Sequence, residues 1–472
     1  MSRVPISRRG FLAGVAAVSA CRGAVAATPH PVGFPKGFVW GASTSALQIE
    51  GAVAEDGRGP SIWESFARQP GAIRDGSSPA AACDHYHRWR DDIALMKRSG
   101  LGAYRFSVAW PRVMPKGRGS VNAKGLDFYD RLVDGLLAAR IRPMACLYHW
   151  DLPQALQDQG GWMNRDIASW FTDYALAVTN RLGDRVSDWF MLNEPSVAAI
   201  FGHAYAEHAP ALNAGKTGLL TALHHQNLAQ GRALHALRAE RSGWRLGTVL
   251  SLQPAVPVSA NPQDRAAATR WDAAWNRVSL DGVTRGQVPD ILAADMAPLV
   301  QSGDMDTIRF PLDMLGVNYY SPLDIQYQPG RLLDAGFGPS ATPGGRVTAM
   351  GWPVQPEGLF QMLMELKTLY GNPAVFVTEN GAAYDDRLIA GHVADPQRIA
   401  YLRDHLTQLA RARQAGCDVR GYLVWSLLDN WEWQFGYSRR FGLTYVDYPS
   451  QRRTPKDSQA WYQGVARTGR LA

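Results

Sequence analysis

The sequence predicts an α/β fold, a single (β/α)8 TIM barrel with long βα loops. Eight short apolar segments alternate with longer amphipathic segments, which is the order of strands and helices in such a barrel. A doubly wound sheet alternates in the same way, but no glycine-rich nucleotide loop follows the first apolar segment. Two of the apolar segments also end in a carboxylate, at Glu194 and Glu379.

The predicted strands are short apolar runs bounded by turn-forming residues. In chain order they cover residues 38–41, 103–107, 142–148, 186–192, 245–251, 313–318, 374–378 and 419–425. Helices are predicted where apolar residues recur at helical spacing, over residues 91–99, 126–139, 167–182, 219–240, 358–370 and 395–415. Residues 320–356 are rich in Gly and Pro and are predicted to form one long βα loop.

The first 27 residues have the features of a twin-arginine export leader. Arg8 and Arg9 precede an apolar stretch that runs from Gly10 to Cys21, and this stretch is too short to span a bilayer. The twin-arginine route exports folded proteins. We therefore expect a periplasmic or secreted protein in which residues 1–27 are the signal peptide and residues 28–472 form one catalytic barrel domain.

Two sites of leader processing are consistent with the sequence. Small residues at Ala24 and Ala26 predict cleavage near Ala26 or Ala27, at the usual distance from the apolar stretch. The alternative is a lipoprotein box that ends at Cys21 and leaves this cysteine acylated. We favour plain cleavage, with a lipid anchor at Cys21 as the less favoured interpretation.

Composition and charge exclude several classes of partner. Residues 1–27 contain four Arg and no acidic residue, so the formal charge of +7 falls to +3 (7 − 4) without them. No Lys/Arg run follows, and we expect neither nucleic-acid binding nor a membrane span. The four Cys lack the spacing of metal ligands, so no metal, cofactor or disulfide framework is expected. The sequence does not indicate the oligomeric state.

Polar and aromatic residues follow the carboxyl ends of the predicted strands, where working residues of such barrels lie. Carboxylates and amides bind hydroxyl groups, and aromatic faces stack on the C–H face of a sugar. Two carboxylates suit a site in which one protonates a leaving group and the other attacks or activates water. These strand-end residues are Arg105, His149, Trp150, Asn193, Glu194, Asn318, Tyr319, Tyr320, Glu379, Asn380, Trp425, Glu432 and Trp433.

Seven ordered segments resemble glycoside hydrolase family 1, the β-glucosidase family of retaining barrels. The resemblance extends from about Phe34 to Tyr462. The segments are WGASTSALQIEGA from Trp40, YRFSVAWPRV from Tyr104, LYHWDLPQAL from Leu147, LNEP from Leu192, GVNYYSP from Gly316, VTENG from Val377 and WSLLDNWEWQFGYSRRFGLTYVDY from Trp425. LNEP or VTENG alone would be weak evidence, because other barrel glycosidases share them.

The resemblance implies a role for most of the strand-end residues and for Gln48. It makes Glu379 the nucleophile and Glu194 the general acid and base, with Arg105 and Tyr320 keeping Glu379 ionised. Asn193 is expected to bond the sugar 2-hydroxyl, and Trp425 to form the stacking floor. The other expected substrate-binding residues are Gln48, His149, Asn318, Tyr320, Glu432 and Trp433.

The resemblance also implies the substrate. A carboxylate at Glu432 would repel a 6-phosphate, so a non-phosphorylated glycoside is expected. We expect an exo-acting β-glucosidase that removes terminal non-reducing β-D-glucosyl residues from cello-oligosaccharides and from aryl or alkyl β-glucosides. A β-galactosidase, β-fucosidase or transglycosidase of the same family is the alternative, and a non-catalytic sugar-binding barrel is a remote one.

Three positions depart from the family pattern. Ser196 stands where a bulky residue is frequent, Phe435 where many members carry Glu, and Leu47 where an aromatic residue precedes Gln48. We expect Ser196 and Phe435 to contact the aglycone, so these departures affect the leaving-group preference and leave the chemistry intact.

Overall fold

Eight parallel strands close into a barrel in the computed structural model, which describes residues 33–340 and 344–471. Each strand pairs with its neighbours in the chain, and the first pairs with the last, Ser43 lying opposite Trp425. The strands are β1 (Val39–Ser43), β2 (Ala103–Ser107), β3 (Arg142–Tyr148), β4 (Asp188–Asn193), β5 (Arg245–Ser251), β6 (Met314–Asn318), β7 (Val375–Glu379) and β8 (Val419–Trp425).

Helices follow the strands on the outside of the barrel, and the last one comes after β8. The principal ones are α1 (His85–Arg98), α2 (Ala123–Ala138), α3 (Ile167–Leu182), α4 (Gly215–Glu240), α5 (Val278–Arg285), α6 (Glu357–Leu369), α7 (Pro396–Gln414) and α8 (Asp457–Thr468). Shorter helical segments occupy the loops, at Ala46–Ile49, Ile62–Ala67, Trp110–Val113, Gln154–Gln157, Gly161–Met163, Pro195–Val197, Ala198–Ala204, Pro262–Asp272, Ala273–Arg277, Asp290–Leu292, Ala293–Met296, Asp304–Ile308, Leu332–Asp334 and Trp433–Ser438.

The predicted fold class is confirmed, and four strands have the predicted bounds. Strands β1, β4, β6 and β7 begin one or two residues later than predicted, and β1, β4 and β7 also end later. Pairing with the neighbouring strands decides these ends: Glu379 lies opposite Asn318 and so belongs to β7. The apolar run alone stops before the carboxylate, which is why the sequence placed the strand end one residue early.

The predicted loop 320–356 contains structure of its own. Two short strands, Leu323–Tyr327 and Ala335–Phe337, join Ala255–Pro257 in a three-stranded sheet beside the barrel. A second small sheet pairs Thr444–Asp447 with Arg452–Pro455. The sequence analysis missed these strands because they are too short to show alternation and depend on contacts with distant segments.

Apolar side chains fill the barrel interior, so the barrel is a packed core and not a channel. The interior layer comprises Ala103, Met144, Cys146, Phe190, Val249, Met314, Phe376 and Leu423. Full burial of a side chain such as Met, Val or Phe stabilises the fold by about 1.5–3 kcal/mol. Because this layer closes the centre of the barrel, polar groups gather above it, at the carboxyl ends of the strands.

Residues 33–472 form one compact unit. Within the described part of that unit, no helix is long and apolar enough to cross a bilayer. Cys83, Cys146 and Cys417 are buried and unpaired. The predicted leader, its cleavage site and Cys21 lie outside the described residues.

Candidate active site

Two strand-end carboxylates face one cavity of about 470 Å³ at the carboxyl end of the barrel. Glu379 is the last residue of β7, and Glu194 directly follows β4. Glu194 has a left-handed backbone, with φ of 47°, and its N–H donates to the carbonyl of Val249 at 2.9 Å. Strain at such a position costs about 1–3 kcal/mol and is frequent at functional sites. Both residues are nearly enclosed, Glu194 with 6% and Glu379 with 3% of its surface exposed.

Glu379 is held on both carboxylate oxygens. Arg105, fully buried on β2, donates from Nη1 to Oε1 at 2.6 Å, and the Tyr320 hydroxyl donates to Oε2 at 2.7 Å. Arg105 also donates from Nη2 to Oδ1 of Asn193 at 2.6 Å. The guanidinium therefore fixes Glu379 and an adjacent amide at the same time, and its charge favours the ionised carboxylate.

Glu194 is held by an uncharged donor. Asn318, at the end of β6, donates from Nδ2 to Glu194 Oε1 at 2.9 Å. The Asn318 side chain is oriented by Thr378, whose hydroxyl donates to its Oδ1 at 2.7 Å. Glu194 thus has an amide partner where Glu379 has a guanidinium partner.

This difference in partners separates the two acids electrostatically. Burial, followed by the charge of Glu379, raises the pKa of Glu194 to about 8. Burial also raises the pKa of Glu379, but Arg105 and Tyr320 oppose that rise. When the pair carries one negative charge, that charge is most stable on Glu379, and Glu194 keeps its proton. Acid catalysis beside a nucleophile needs this arrangement.

A third carboxylate, Glu432, lines the same cavity. Burial and then the charge of Glu379 raise the pKa of Glu432 to about 8. Gln48 donates from Nε2 to Glu432 Oε2 at 3.2 Å and to Asn430 Oδ1 at 2.9 Å. Glu432 can therefore accept a hydrogen bond from a hydroxyl group of a ligand, and the Gln48 amide fixes the position of its carboxyl group.

His149 and two tryptophans form one wall of the cavity. The His149 ring lies nearly parallel to Trp425 and Trp433, with ring centroids 5.8 and 5.9 Å away. Burial and the charge of Arg105 lower the pKa of His149 well below its ordinary value, so the ring is neutral. The Nδ2 of Asn193 lies 3.1 Å from the Nε2 of His149. Because the amide nitrogen can only donate, Nε2 of the neutral ring accepts this hydrogen bond.

Gly381 allows the strand ends β7 and β8 to approach closely. A Cβ atom at this position would lie 1.7 Å from the carbonyl oxygen of Trp425. Only glycine permits this contact, which brings the turn after Glu379 against the segment that carries Trp425. The Asn-Gly pair that the sequence analysis interpreted as a turn therefore also has a packing function.

The predicted site residues divide into two layers. Those that line the cavity are His149, Glu194, Tyr320, Glu379, Trp425, Glu432 and Trp433. The other four are almost fully buried and reach the cavity through hydrogen bonds to lining residues; they are Gln48, Arg105, Asn193 and Asn318. Direct contact of Gln48, Asn193 and Asn318 with a ligand stays a prediction.

Sequence reasoning missed several lining residues. Ser251, at the end of β5, hydrogen-bonds Glu194, and its position at a strand end was an available signal. Phe201, Trp275 and Phe337 also line the cavity, from segments between the barrel strands, and nothing in the local sequence marks them. Phe435 lines the cavity, whereas Ser196 is buried and lies outside the lining. Contact of either residue with an aglycone stays a prediction.

Metal ligands do not gather in this site. Across residues 33–340 and 344–471, no three His, Cys, Asp or Glu side chains are grouped closely enough to hold a metal ion. The arrangement of a cation-held carboxylate, a proton-holding carboxyl and aromatic walls supports acid–base and nucleophilic chemistry on a polyhydroxylated ligand.

Comparison with known proteins agrees with this geometry. The sequence profile of glycosyl hydrolase family 1 matches residues 30–470. A 1,4-β-D-glucan glucohydrolase of Thermotoga neapolitana is 43% identical over 93% of this chain and 99% of its own length. A bifunctional β-D-glucosidase/β-D-fucosidase of Bifidobacterium breve is 44% identical over 91% of this chain and 97% of its own.

The fold comparison gives the same result. The crystal structure of the psychrophilic β-glucosidase BglU from Micrococcus antarcticus superposes with a TM-score of 0.89 at 44% identity, covering 93% of this chain and 98% of that one. Its likeness and the profile both span nearly the whole barrel. The chain therefore belongs to glycosyl hydrolase family 1.

Proposed function

We propose that this protein is a retaining, exo-acting β-glucosidase that releases terminal β-D-glucosyl residues. The observation that carries the proposal is the pair Glu194 and Glu379 in one cavity, the first with an amide partner and the second with a guanidinium partner. Names of the relatives, a glucan glucohydrolase and a β-glucosidase, support the same activity.

The chemistry proceeds in two displacements. Glu379 attacks the anomeric carbon and forms a C–O bond while the glycosidic C–O bond breaks, and the proton of Glu194 passes to the leaving oxygen. Glu194, now ionised, removes a proton from water, which attacks the anomeric carbon and releases Glu379. Two inversions at one carbon return the β configuration, and Glu194 regains its proton.

The binding residues have roles suited to glucose. Trp425 and Trp433 offer aromatic faces to the ring, while Glu432 and His149 meet hydroxyl groups. Asn193 donates toward His149 and accepts from Arg105, which holds it beside the nucleophile for the 2-hydroxyl. Gln48 and Asn318 lie behind the lining and hold Glu432 and Glu194 in place by hydrogen bonds.

Exo-action follows from the depth of the site. The two carboxylates are so little exposed that a continuous glycan cannot lie across them as it would in an open groove. The end of a chain, or a single glucosyl unit with its aglycone, fits such a cavity. We place cello-oligosaccharides and aryl or alkyl β-glucosides in this substrate class.

An assay with phenyl β-glucoside, whose leaving oxygen still needs a proton, tests the proposal. Wild type, Glu379→Gln and Glu194→Gln are compared, and each variant is expected to lose at least about 10²–10⁴-fold in rate. Proton NMR of the first product decides retention: release of the α anomer, or equal activity of all three proteins, contradicts the assignment.

Azide separates the two roles. With Glu379→Gly, azide replaces the nucleophile in a single displacement, so the expected product is the α-glucosyl azide. With Glu194→Gly, azide attacks the glycosyl-enzyme in place of water and yields the β-glucosyl azide. The reverse pattern would exchange the two assignments.

A second candidate activity is hydrolysis of β-fucosides or β-galactosides. The bifunctional Bifidobacterium breve relative supports it, because that protein's name includes β-D-fucosidase. Initial rates on matched aryl glucoside, galactoside, fucoside and 6-phosphoglucoside rank the sugars, and accumulation of longer glycosides in the same reactions reveals transglycosylation. The presence of both carboxylates argues against a non-catalytic sugar-binding barrel.

We further propose that residues 1–27 are a twin-arginine leader and that the mature enzyme acts in the periplasm or outside the cell. Support comes from Arg8 and Arg9 before the apolar stretch and from the small residues Ala24 and Ala26 after it. Mass spectrometry of the exported protein is expected to find a start near Ala26 or Ala27; a start at an acylated Cys21 supports the lipoprotein alternative.

A further inference from the structure

A second, much smaller cavity lies beside the one that holds the two carboxylates. Its volume is about 10 Å³, close to the space that a single water molecule needs. Trp150 and His208 line both cavities, whereas Trp63 and His203 line the smaller one. We call this second space the small cavity.

Two loop segments bring the lining residues of the small cavity together. Trp63 lies in the helical segment Ile62–Ala67, and both histidines lie in the segment that follows β4. That segment folds back on itself, because the N–H of His208 donates to the carbonyl of Phe201 at 3.0 Å. The His208 ring consequently packs on Trp63, with ring centroids 5.2 Å apart.

Three ring nitrogens in the lining are buried and have no hydrogen-bond partner among the described residues. They are Nε1 of Trp63, Nε2 of His203 and Nδ1 of His208. The three residues are 1%, 1% and 7% exposed, in that order. An unpaired buried polar group is costly, and native proteins pair such groups with other protein groups or with ordered water.

The three nitrogens have different hydrogen-bonding roles. The indole N–H of Trp63 can only donate. Burial lowers the pKa of His203 to about 4, so this ring is neutral at pH 7. Its Nδ1 donates to the carbonyl of Ala198 at 3.1 Å, which leaves Nε2 as an acceptor. Burial also keeps His208 neutral, and the Gln434 side chain bonds this ring while Nδ1 stays available.

These roles select a neutral molecule that both donates and accepts. A cation would be repelled by the indole N–H of Trp63, and no group of three metal-ligating side chains occurs in the described part of the chain. An anion would meet no positive charge, since both imidazoles are neutral and no Lys or Arg occurs among the described residues that line the small cavity. Water has the required size and both hydrogen-bonding roles.

The small cavity lies behind one aromatic wall of the main cavity. The Trp63 ring packs on Trp433 at 4.6 Å between centroids, and Trp150 packs on Trp433 at 4.5 Å. Trp150 also contacts His208 at 5.8 Å. Because the rings around the small cavity support Trp433, whatever fixes those rings also fixes that wall.

We propose that the small cavity binds one water molecule, which accepts from Trp63 Nε1, donates to His203 Nε2 and bonds His208 Nδ1. Three hydrogen bonds are typical of a buried water. By fixing the rings of Trp63 and His208, this water holds Trp433 in position. Its effect on sugar binding rests on the proposed function, whereas the water site itself does not.

A high-resolution crystal structure of the wild-type protein tests the site directly. We expect one ordered solvent atom at about 2.7–3.2 Å from each of the three nitrogens. A small cavity without ordered solvent overturns the proposal. Ring orientations that pair these nitrogens with protein groups overturn it as well.

Unfolding in denaturant tests whether the nitrogens share one partner. His203→Leu and Trp63→Phe each remove a group that binds the water, so each is expected to lower the free energy of unfolding. Once one exchange is made, the other is expected to cost no more than about half of its cost in the wild type. Full additivity of the two losses contradicts a shared water.

Trp244→Phe is the matched control for this comparison. Trp244 is buried and directly precedes β5, so it lies at the opposite end of the barrel. The loss that it causes is expected to add in full to the loss from His203→Leu, because the two residues share no partner. The same shortfall from additivity with this control would also contradict the shared water.

Kinetics with phenyl β-glucoside tests the link to the aromatic wall. His203→Leu is expected to raise KM by about two- to fivefold and to leave kcat within about twofold, because Trp433 contacts the sugar in the ground state and the transition state alike. An unchanged KM overturns this link. Absence of hydrolysis by the wild type refutes the proposed function instead, and the crystal structure and the unfolding measurements still decide the water site.

Discussion

Replacement of Glu194 by Gln removes the proton on which the first displacement depends. With a pKa of about 8, this carboxyl is about nine-tenths protonated at pH 7. At the ordinary pKa of a glutamate, about one molecule in several hundred would hold the proton at that pH. Burial and the neighbouring charge of Glu379 therefore increase the reactive population by about two to three orders of magnitude.

The pH dependence has a definite sign. Activity needs Glu194 neutral and Glu379 ionised, so kcat/KM of the wild type is expected to fall above about pH 8 as Glu194 loses its proton. At the acidic side kcat/KM falls as Glu379 gains a proton, at a pKa that burial raises above the ordinary value. The assay is kcat/KM for alkyl, phenyl and 2,4-dinitrophenyl β-glucosides across this range.

Glu194→Gln is expected to lose the alkaline fall. It should also lose about 10²–10⁴-fold in kcat/KM on alkyl glucosides, whose leaving oxygen needs a proton. The dinitrophenyl glucoside should lose far less, because its leaving group departs as a stable anion. Glu240→Gln, the same exchange at the exposed end of α4, serves as control. A persistent alkaline fall in Glu194→Gln, or an equal loss on all three substrates, refutes the reasoning.

Two further predictions concern stability. Because the pKa of Glu432 is raised to about 8, the native state keeps a proton that the unfolded chain releases above about pH 4.5, so the free energy of unfolding falls as pH rises through this window. Glu432→Gln is expected to reduce that fall in thermal unfolding, and an unchanged slope contradicts the burial argument. Lys456 is fully buried between Asp386 at 2.5 Å and Asp429 at 2.6 Å, so Lys456→Met is expected to cost about 3–5 kcal/mol in denaturant unfolding. Lys216→Met, which removes an exposed pair, should cost less than about 1 kcal/mol, and equal losses would show that burial does not matter here.

Much of the inner site follows from local sequence. In a parallel barrel every strand delivers its last residue to the same end, so apolar runs that stop at Glu194 and Glu379 place both acids together. The same rule located Asn318 at the end of β6, whereas Arg105 is the middle residue of β2. It does not say which residues reach the cavity surface, and Gln48, Asn193 and Asn318 proved to lie behind it.

Cavity residues that come from segments between the barrel strands show the limit of that rule. Phe337 stands in a three-residue strand that pairs with Leu323–Tyr327, and its ring faces Phe201 from a different loop. Such contacts join segments that are far apart in the chain. The sequence pattern of one segment does not indicate that it packs against the other. The burial of Ser196 has the same kind of cause, because it depends on packing around the strand end.

The sequence by itself determined the barrel, the positions of the two acids and the family, because period, strand order and strand-end chemistry are local properties of the chain. Only the tertiary structure gave the physical cause that leaves the proton on Glu194, and only it showed which loop residues line the cavity. Burial and partner charge set the first, through Arg105 beside Glu379 and Asn318 beside Glu194. Packing between distant loops set the second, and both are properties of the folded molecule.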